Sequence, residues 1–120
     1  MSGRVIPYAP YPTGELKPAY VIVNVDVIDE EAGLAYATVA QESVLGHGGR
    51  YLIAGPTPEP VEGTWDASRF VVIEFPDLDR ARKWYDSPEY RRARAIREGK
   101  VRVGMLFVEG TSPEGFSIPT

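Results

Sequence analysis

FVVIEFPDLDRARKWYDSPEY, residues 70–90, changes its backbone rule three times, and those changes decide the fold. From Arg69 to Phe75 the residues are mostly β-branched or aromatic. Val71, Ile73 and Phe75 fall on one side of the strand this predicts, and Phe70, Val72 and Glu74 on the other. Both sides are apolar enough to be covered, and Glu74 is the exception. Pro76-Asp77 ends the strand and opens a helix, in which Leu78, Ala81, Trp84 and Tyr85 recur at spacings that share one face. Asp86-Ser87-Pro88 then breaks it, because the residue before proline avoids helical angles. Ser87 can cap a new helix with Pro88 at its first position, running to about Glu98 and stopped by Gly99.

Working outward, YVIVNVDV at Tyr20 to Val27 reads as a strand, with Val21, Val23, Val25 and Val27 on its core face and Tyr20, Ile22, Asn24 and Asp26 opposite. Asp29 caps a helix with Glu30 and Glu31 in its first turn, where the helix dipole favours them. It runs to about Leu45, with Leu34, Ala37, Gln41 or Val44, and Leu45 expected to face the core. Gly46-His47-Gly48-Gly49 ends it, and Arg50 to Ala54 is a second strand. Gly55 to Gly63, with Pro56, Pro58 and Pro60, is a rigid loop, and Lys100 to Glu109 is a fourth strand. Residues 19–110 therefore form the domain. A proline-rich arm at 1–18, carrying Tyr8 and Tyr11, precedes it, and a tail at 111–120 follows.

The order βαββαβ predicts an α+β, ferredoxin-like domain: an antiparallel sheet with its helices on one face. Strands one and three become the central pair. The face away from the helices then carries Tyr20, Ile22, Asn24, Phe70, Val72 and Glu74, too apolar for water, so a homodimer built face to face is expected.

Composition narrows the function. At 120 residues, with 43% hydrophobic residues, the chain builds one small core. It has no cysteine, which removes disulfides and thiolate chemistry and suits a reducing cytoplasm, the expected location. No apolar run approaches the roughly 20 residues of a membrane span, so no membrane partner is expected. The net charge is -4, yet nine of the 13 basic residues lie between Arg80 and Arg102 beside three acids. An acidic chain with one basic helical segment argues for a solvated face rather than for nucleic acid. With one histidine and no cysteine no metal is expected, and with no P-loop or dinucleotide fingerprint no bound cofactor is expected.

The segments His47-Gly48-Gly49-Arg50-Tyr51-Leu52, Glu62-Gly63, Arg69 to Pro76 and Trp84 to Tyr90 together resemble the pattern of the DUF1330 family, within the dimeric α/β-barrel superfamily, over roughly Ala19 to Gly110. The resemblance implies a ferredoxin-like homodimer and no particular activity. The chain departs from the pattern at His47, where the family usually has an aromatic, at Ala54-Gly55-Pro56 in place of Arg-Gly-Gly, and near Gly33, where an aromatic is usual.

Two candidates for proton transfer stand out. His47 alone has an ordinary pKa near neutrality. Glu74, among Phe70 and Val72, must either pair with Arg50, Arg69 or Arg102 or be desolvated. Asn24 is expected near Glu74 on the adjacent strand, orienting a carbonyl or hydroxyl. Trp84, Tyr85 and Tyr90, with Tyr36, either line an aromatic pocket under the helices or simply build core. Arg94 or Arg97 is expected to turn inward to a salt bridge. The functional expectation is an enzyme acting by proton transfer on a hydrophobic or aromatic carbonyl compound, in isomerisation, cyclisation or oxygenation. Superfamily resemblance suggests muconolactone isomerases, polyketide cyclases and cofactor-independent monooxygenases as analogues of fold. The alternative is a non-catalytic homodimer that binds a small ligand or another protein.

Overall fold

The computed structural model describes residues 17–66 and 68–110. The expected arm, apart from Lys17 and Pro18, and the expected tail lie outside the described residues. The elements follow in the order β1 (Ala19–Val27), α1 (Glu30–Gly46), β2 (Arg50–Ala54), β3 (Arg69–Phe75), α2 (Leu78–Tyr85), α3 (Pro88–Arg97) and β4 (Val101–Glu109). All three strand pairings are antiparallel and the sheet order is β2-β3-β1-β4, so β1 and β3 are central, as expected of a ferredoxin-like α+β domain.

Local chemistry sets the boundaries. Asp29, Asp77 and Ser87 each accept a hydrogen bond from the backbone N–H three residues on, at 3.1, 2.7 and 3.1 Å, satisfying a helix-start donor that would otherwise be orphaned. Gly48, at φ 85°, takes the left-handed conformation that ends α1, and Gly99, at φ 75°, turns the chain into β4. Among the described residues no helix is long and apolar enough to cross a membrane.

The register sorts the strands into two faces. Val21, Val23 and Val25 of β1 lie beside Ile73, Val71 and Arg69 of β3, and beside Phe107, Met105 and Val103 of β4, on the helix side. The core gathers toward one end of this face, where Val21, Val44, Phe75, Ala81, Trp84 and Tyr90 are buried. The other face carries Tyr20, Ile22, Asn24, Phe70, Val72 and Glu74, with Ile53, Leu106 and Val108 exposed beside them.

Two expectations need correction. The buried residues of α1 are Ala40, Ser43 and Val44, whereas Leu34 and Leu45 are 72% and 55% exposed. The inward stripe consists of small and polar residues, because buried Trp84 donates its indole N–H to Ser43 Oγ at 2.9 Å and draws that serine inward. A polar residue with a buried partner is invisible to a hydrophobic pattern. Arg94 and Arg97 make no ion pair among the described residues. Their guanidinium carbons lie 4.2 Å from the Tyr85 ring centre and 5.5 Å from that of Tyr36, so aromatic faces receive the charge.

Candidate functional site

Helix α1 meets the sheet at two places and spans the space between them. Toward its C-terminal end, Ala40, Ser43 and Val44 are packed into the core. Toward its N-terminal end, a Cβ added to Gly33 would come within 2.8 Å of Val27 Cγ1, so the helix backbone approaches β1 closely there. A cavity of about 580 Å³ remains under the helix. Its sheet wall includes Val23, Val25 and Val27 of β1, Val71 and Ile73 of β3, and Met105 of β4. The helix contributes Gly33, Leu34, Tyr36, Ala37 and Gln41, and Trp84 closes the inner end. Against this apolar lining stand a few polar groups: Glu30, Tyr36, Gln41, Tyr51 and Arg69. Concave, mostly apolar sites of about 300–1,000 Å³ with a few convergent polar groups are the usual form of small-molecule pockets.

The tyrosines are linked behind the wall. The Tyr36 and Tyr90 hydroxyls are 2.7 Å apart and their rings meet edge to face at 6.3 Å. Tyr90 in turn lies 4.3 Å from Trp84, centre to centre. Burial, reinforced by Tyr90, pushes the Tyr36 phenol far above its ordinary 10 and that of Tyr51 up to about 12. Both phenols therefore keep their protons throughout the physiological range. Because folding favours their protonated forms, stability should fall as pH rises from about 10 toward 12, where the unfolded chain has already lost these protons. A Tyr36→Phe, Tyr51→Phe double variant should flatten that alkaline decline in pH-dependent denaturation; an unchanged slope would mean that these phenols are not desolvated.

The sequence-derived candidates divide between this cavity and other places. Tyr36, Arg69 and Trp84 line it, and Tyr90 stands behind Tyr36. Asn24, Arg50 and Glu74 lie on the opposite face of the sheet. There Arg50 Nε donates to Glu74 Oε1 at 2.6 Å, with the glutamate side chain 10% exposed and the arginine 70%. Of the three arginines considered as its partner, Arg50 is the one bonded to it, since β2 places Arg50 directly opposite Glu74. The expected nearness of Asn24 to Glu74 is corrected by register. Tyr20 pairs with Glu74, and Asn24 pairs with Phe70, four residues and about 13 Å further along the strand. His47 caps α1. Its Nδ1–H donates to the Ser43 carbonyl at 2.9 Å, which fixes the ring on the last turn of α1, and its Nε2 lies 3.8 Å from Glu89 Oε1 at the start of α3.

Sequence reasoning missed Tyr51 and Glu30 as wall residues, and it placed Gln41 on the inward side of α1 without giving it a role. The run Gly33, Ala35, Ala37, Ala40 in α1 was an available signal: side chains this small leave space beneath a helix. No group of three or more His, Cys, Asp or Glu suited to a metal exists among the described residues.

A four-stranded antiparallel sheet with its helices on one face and a ligand-sized cavity between them defines a ferredoxin-like domain with a pocket. The chain belongs to the family described as Domain of unknown function (DUF1330), whose model matches residues 18–111. Among solved structures it is similar to RPA0582, a protein of unknown function from Rhodopseudomonas palustris, at TM-score 0.66 and 16% identity over 81% of this chain and 85% of that one. A dimeric ferredoxin-like protein of unknown function from Thermobifida fusca gives TM-score 0.57 and 15% identity over 82% and 94%. A Nitrosomonas europaea chain, provisionally assigned as an antibiotic biosynthesis monooxygenase, gives 0.51 and 14% over 82% and 95%. At these identities the likeness is one of fold. No curated protein matches the chain.

Proposed function

We propose that the chain binds a small apolar or aromatic carbonyl compound in the cavity under α1 and serves proton transfer on it, in an isomerisation, cyclisation or oxygenation that uses no tightly bound cofactor. The observation that carries this reading is the cavity itself, about 580 Å³ with an apolar lining and two phenols held neutral in its wall. A neutral phenol in a desolvated wall stabilises a carbonyl or enolate oxygen by donating a hydrogen bond, and a preorganised donor of this kind strengthens as charge develops. Tyr51 takes that role, and Tyr36 joins it with Tyr90 as the donor within their hydroxyl pair. Glu30, the one carboxylate lining the cavity among the described residues, takes the proton. Glu74 and His47, off the cavity wall, serve architecture in this proposal: Glu74 through Arg50, and His47 through Ser43. The provisional monooxygenase assignment of the Nitrosomonas europaea neighbour agrees with this class of chemistry without specifying it.

The test is a panel of aromatic ketones, lactones and quinols, each with and without a carboxylate group, read by thermal shift and by turnover. At least one compound should stabilise the wild-type chain and be converted. Tyr36→Phe should cut turnover by about tenfold or more, whereas Glu74→Gln should leave it within about twofold. Failure of every compound to stabilise the chain would remove the reading. Stabilisation without product would instead favour the non-catalytic ligand-binding or interaction protein, a second reading motivated by the closed Arg50–Glu74 pair, which occupies the central-strand carboxylate.

We also propose that a second copy of the chain covers the open sheet face. Leu106, Val108 and Ile53 are exposed there beside half-buried Ile22, Phe70 and Val72, and Asn24 Oδ1 is buried without a hydrogen-bond partner among the described residues. An apolar face with an orphaned acceptor is satisfied by a partner that supplies both cover and a donor. The Thermobifida fusca neighbour is itself dimeric.

A further inference from the structure

We infer that the ligand of the cavity is a monoanion, an apolar carboxylic acid whose head is held by Arg69 at the cavity edge while its body lies along β1 and β3 beneath α1. This rests on the ligand-binding reading above and specifies what binds.

Arg69 is the first residue of β3 and stands opposite Val25, so the strand alternation turns it toward the helix side, where it lines the cavity beside Val71 and Gly55. Among the described residues it makes no hydrogen bond, ion pair or ring contact, unlike Arg50 on Glu74 and Arg94 and Arg97 on tyrosine rings. A guanidinium is a rigid fork of donors matched to two carboxylate oxygens. Placed next to valines, it is the natural anchor for an acid whose remainder is apolar. The rest of the wall limits the alternatives. Sugars and nucleotides need many polar partners, and this lining offers few. Glu30 lies on the same cavity, in the first turn of α1, where the helix dipole supports its charge. A fixed negative charge nearby disfavours a phosphate dianion more than a carboxylate, so the head is a single negative charge.

The probes are 4-phenylbutanoate, 2-naphthylacetate and octanoate, each beside its primary amide, titrated calorimetrically into the full chain at two salt concentrations. An acid should bind about tenfold more tightly than its amide, and the margin should shrink as salt rises. Arg69→Gln should erase the margin, Arg69→Lys should keep part of it, and Glu30→Gln should widen it about two- to threefold by removing a like charge. Equal binding of acid and amide overturns the inference and leaves the cavity reading standing, as does an Arg69→Gln loss that is the same for both members of a pair. If neither acids nor amides bind, the cavity reading falls and this inference with it. The comparison of acid with amide on the wild-type chain needs no variant, so a variant that fails to fold leaves the test intact.

Discussion

Trp84→Ala will cost the domain about 3–5 kcal/mol, the range for removing a fully buried tryptophan. Trp84 is 1% exposed and sits where three elements meet. Its ring lies 5.4 Å from Phe75, 4.3 Å from Tyr90 and 6.2 Å from Tyr85, and its N–H is satisfied by Ser43 Oγ. Truncation deletes these contacts, leaves Ser43 without its indole donor and opens the inner end of the cavity. Against a typical domain stability of about 5–15 kcal/mol, the loss takes much of what holds the chain folded. Trp84→Phe should cost distinctly less, because it keeps the aromatic packing and loses the hydrogen bond. Denaturant titration of the two variants decides the matter; an alanine variant weakened by less than about 1 kcal/mol would contradict the packing described for this residue.

Leu106→Asp should convert the proposed dimer into monomers. Leu106 is 58% exposed in the single chain and stands opposite Ile22 on the sheet face away from the helices. The substitution therefore costs the isolated protomer little, about 0.5 kcal/mol or less. Between two packed sheets the same carboxylate would be desolvated, which costs several kcal/mol and appears twice in a symmetric interface. Light scattering coupled to size exclusion should give twice 13.2 kDa for the wild-type chain and 13.2 kDa for the variant, with circular dichroism unchanged. A wild-type chain of 13.2 kDa at micromolar concentration, or a variant that stays double, would reject the face-to-face dimer.

Much of the fold was legible in the sequence because its signals are local. The caps at Asp29, Asp77 and Ser87 act over three residues, and the Ser87-Pro88 break follows from the stereochemistry of proline. The alternation in β1 and β3 likewise assigned Tyr20, Ile22, Asn24, Phe70, Val72 and Glu74 to one face, which the register bears out. The inward face of α1 was legible only at Val44. Its buried positions are an alanine, a serine and a valine, and its leucines at 34 and 45 point elsewhere. A stripe of small residues carries almost no hydrophobic pattern, and Ser43 is explained only by Trp84, 41 residues away.

The candidate site divides in the same way. Glu74 was recognisable as a carboxylate among apolar neighbours, and Arg50 was among its named partners. The distance from Asn24 to Glu74 depended on how β1 and β3 slide past each other, which strand alternation does not specify. Tyr36 and Tyr90 are 54 residues apart, and only the docking of α1 against α3 brings their hydroxyls together. The segment 70–90 by itself determined a strand, a capped helix, a break and a second helix, because propensity, capping and proline geometry are properties of neighbouring residues. The tertiary structure alone decided that Arg69, one residue before it, faces a cavity while Glu74 within it faces the other way toward Arg50. An odd separation along a strand assigns two side chains to opposite faces, and only the assembled sheet gives those faces their surroundings.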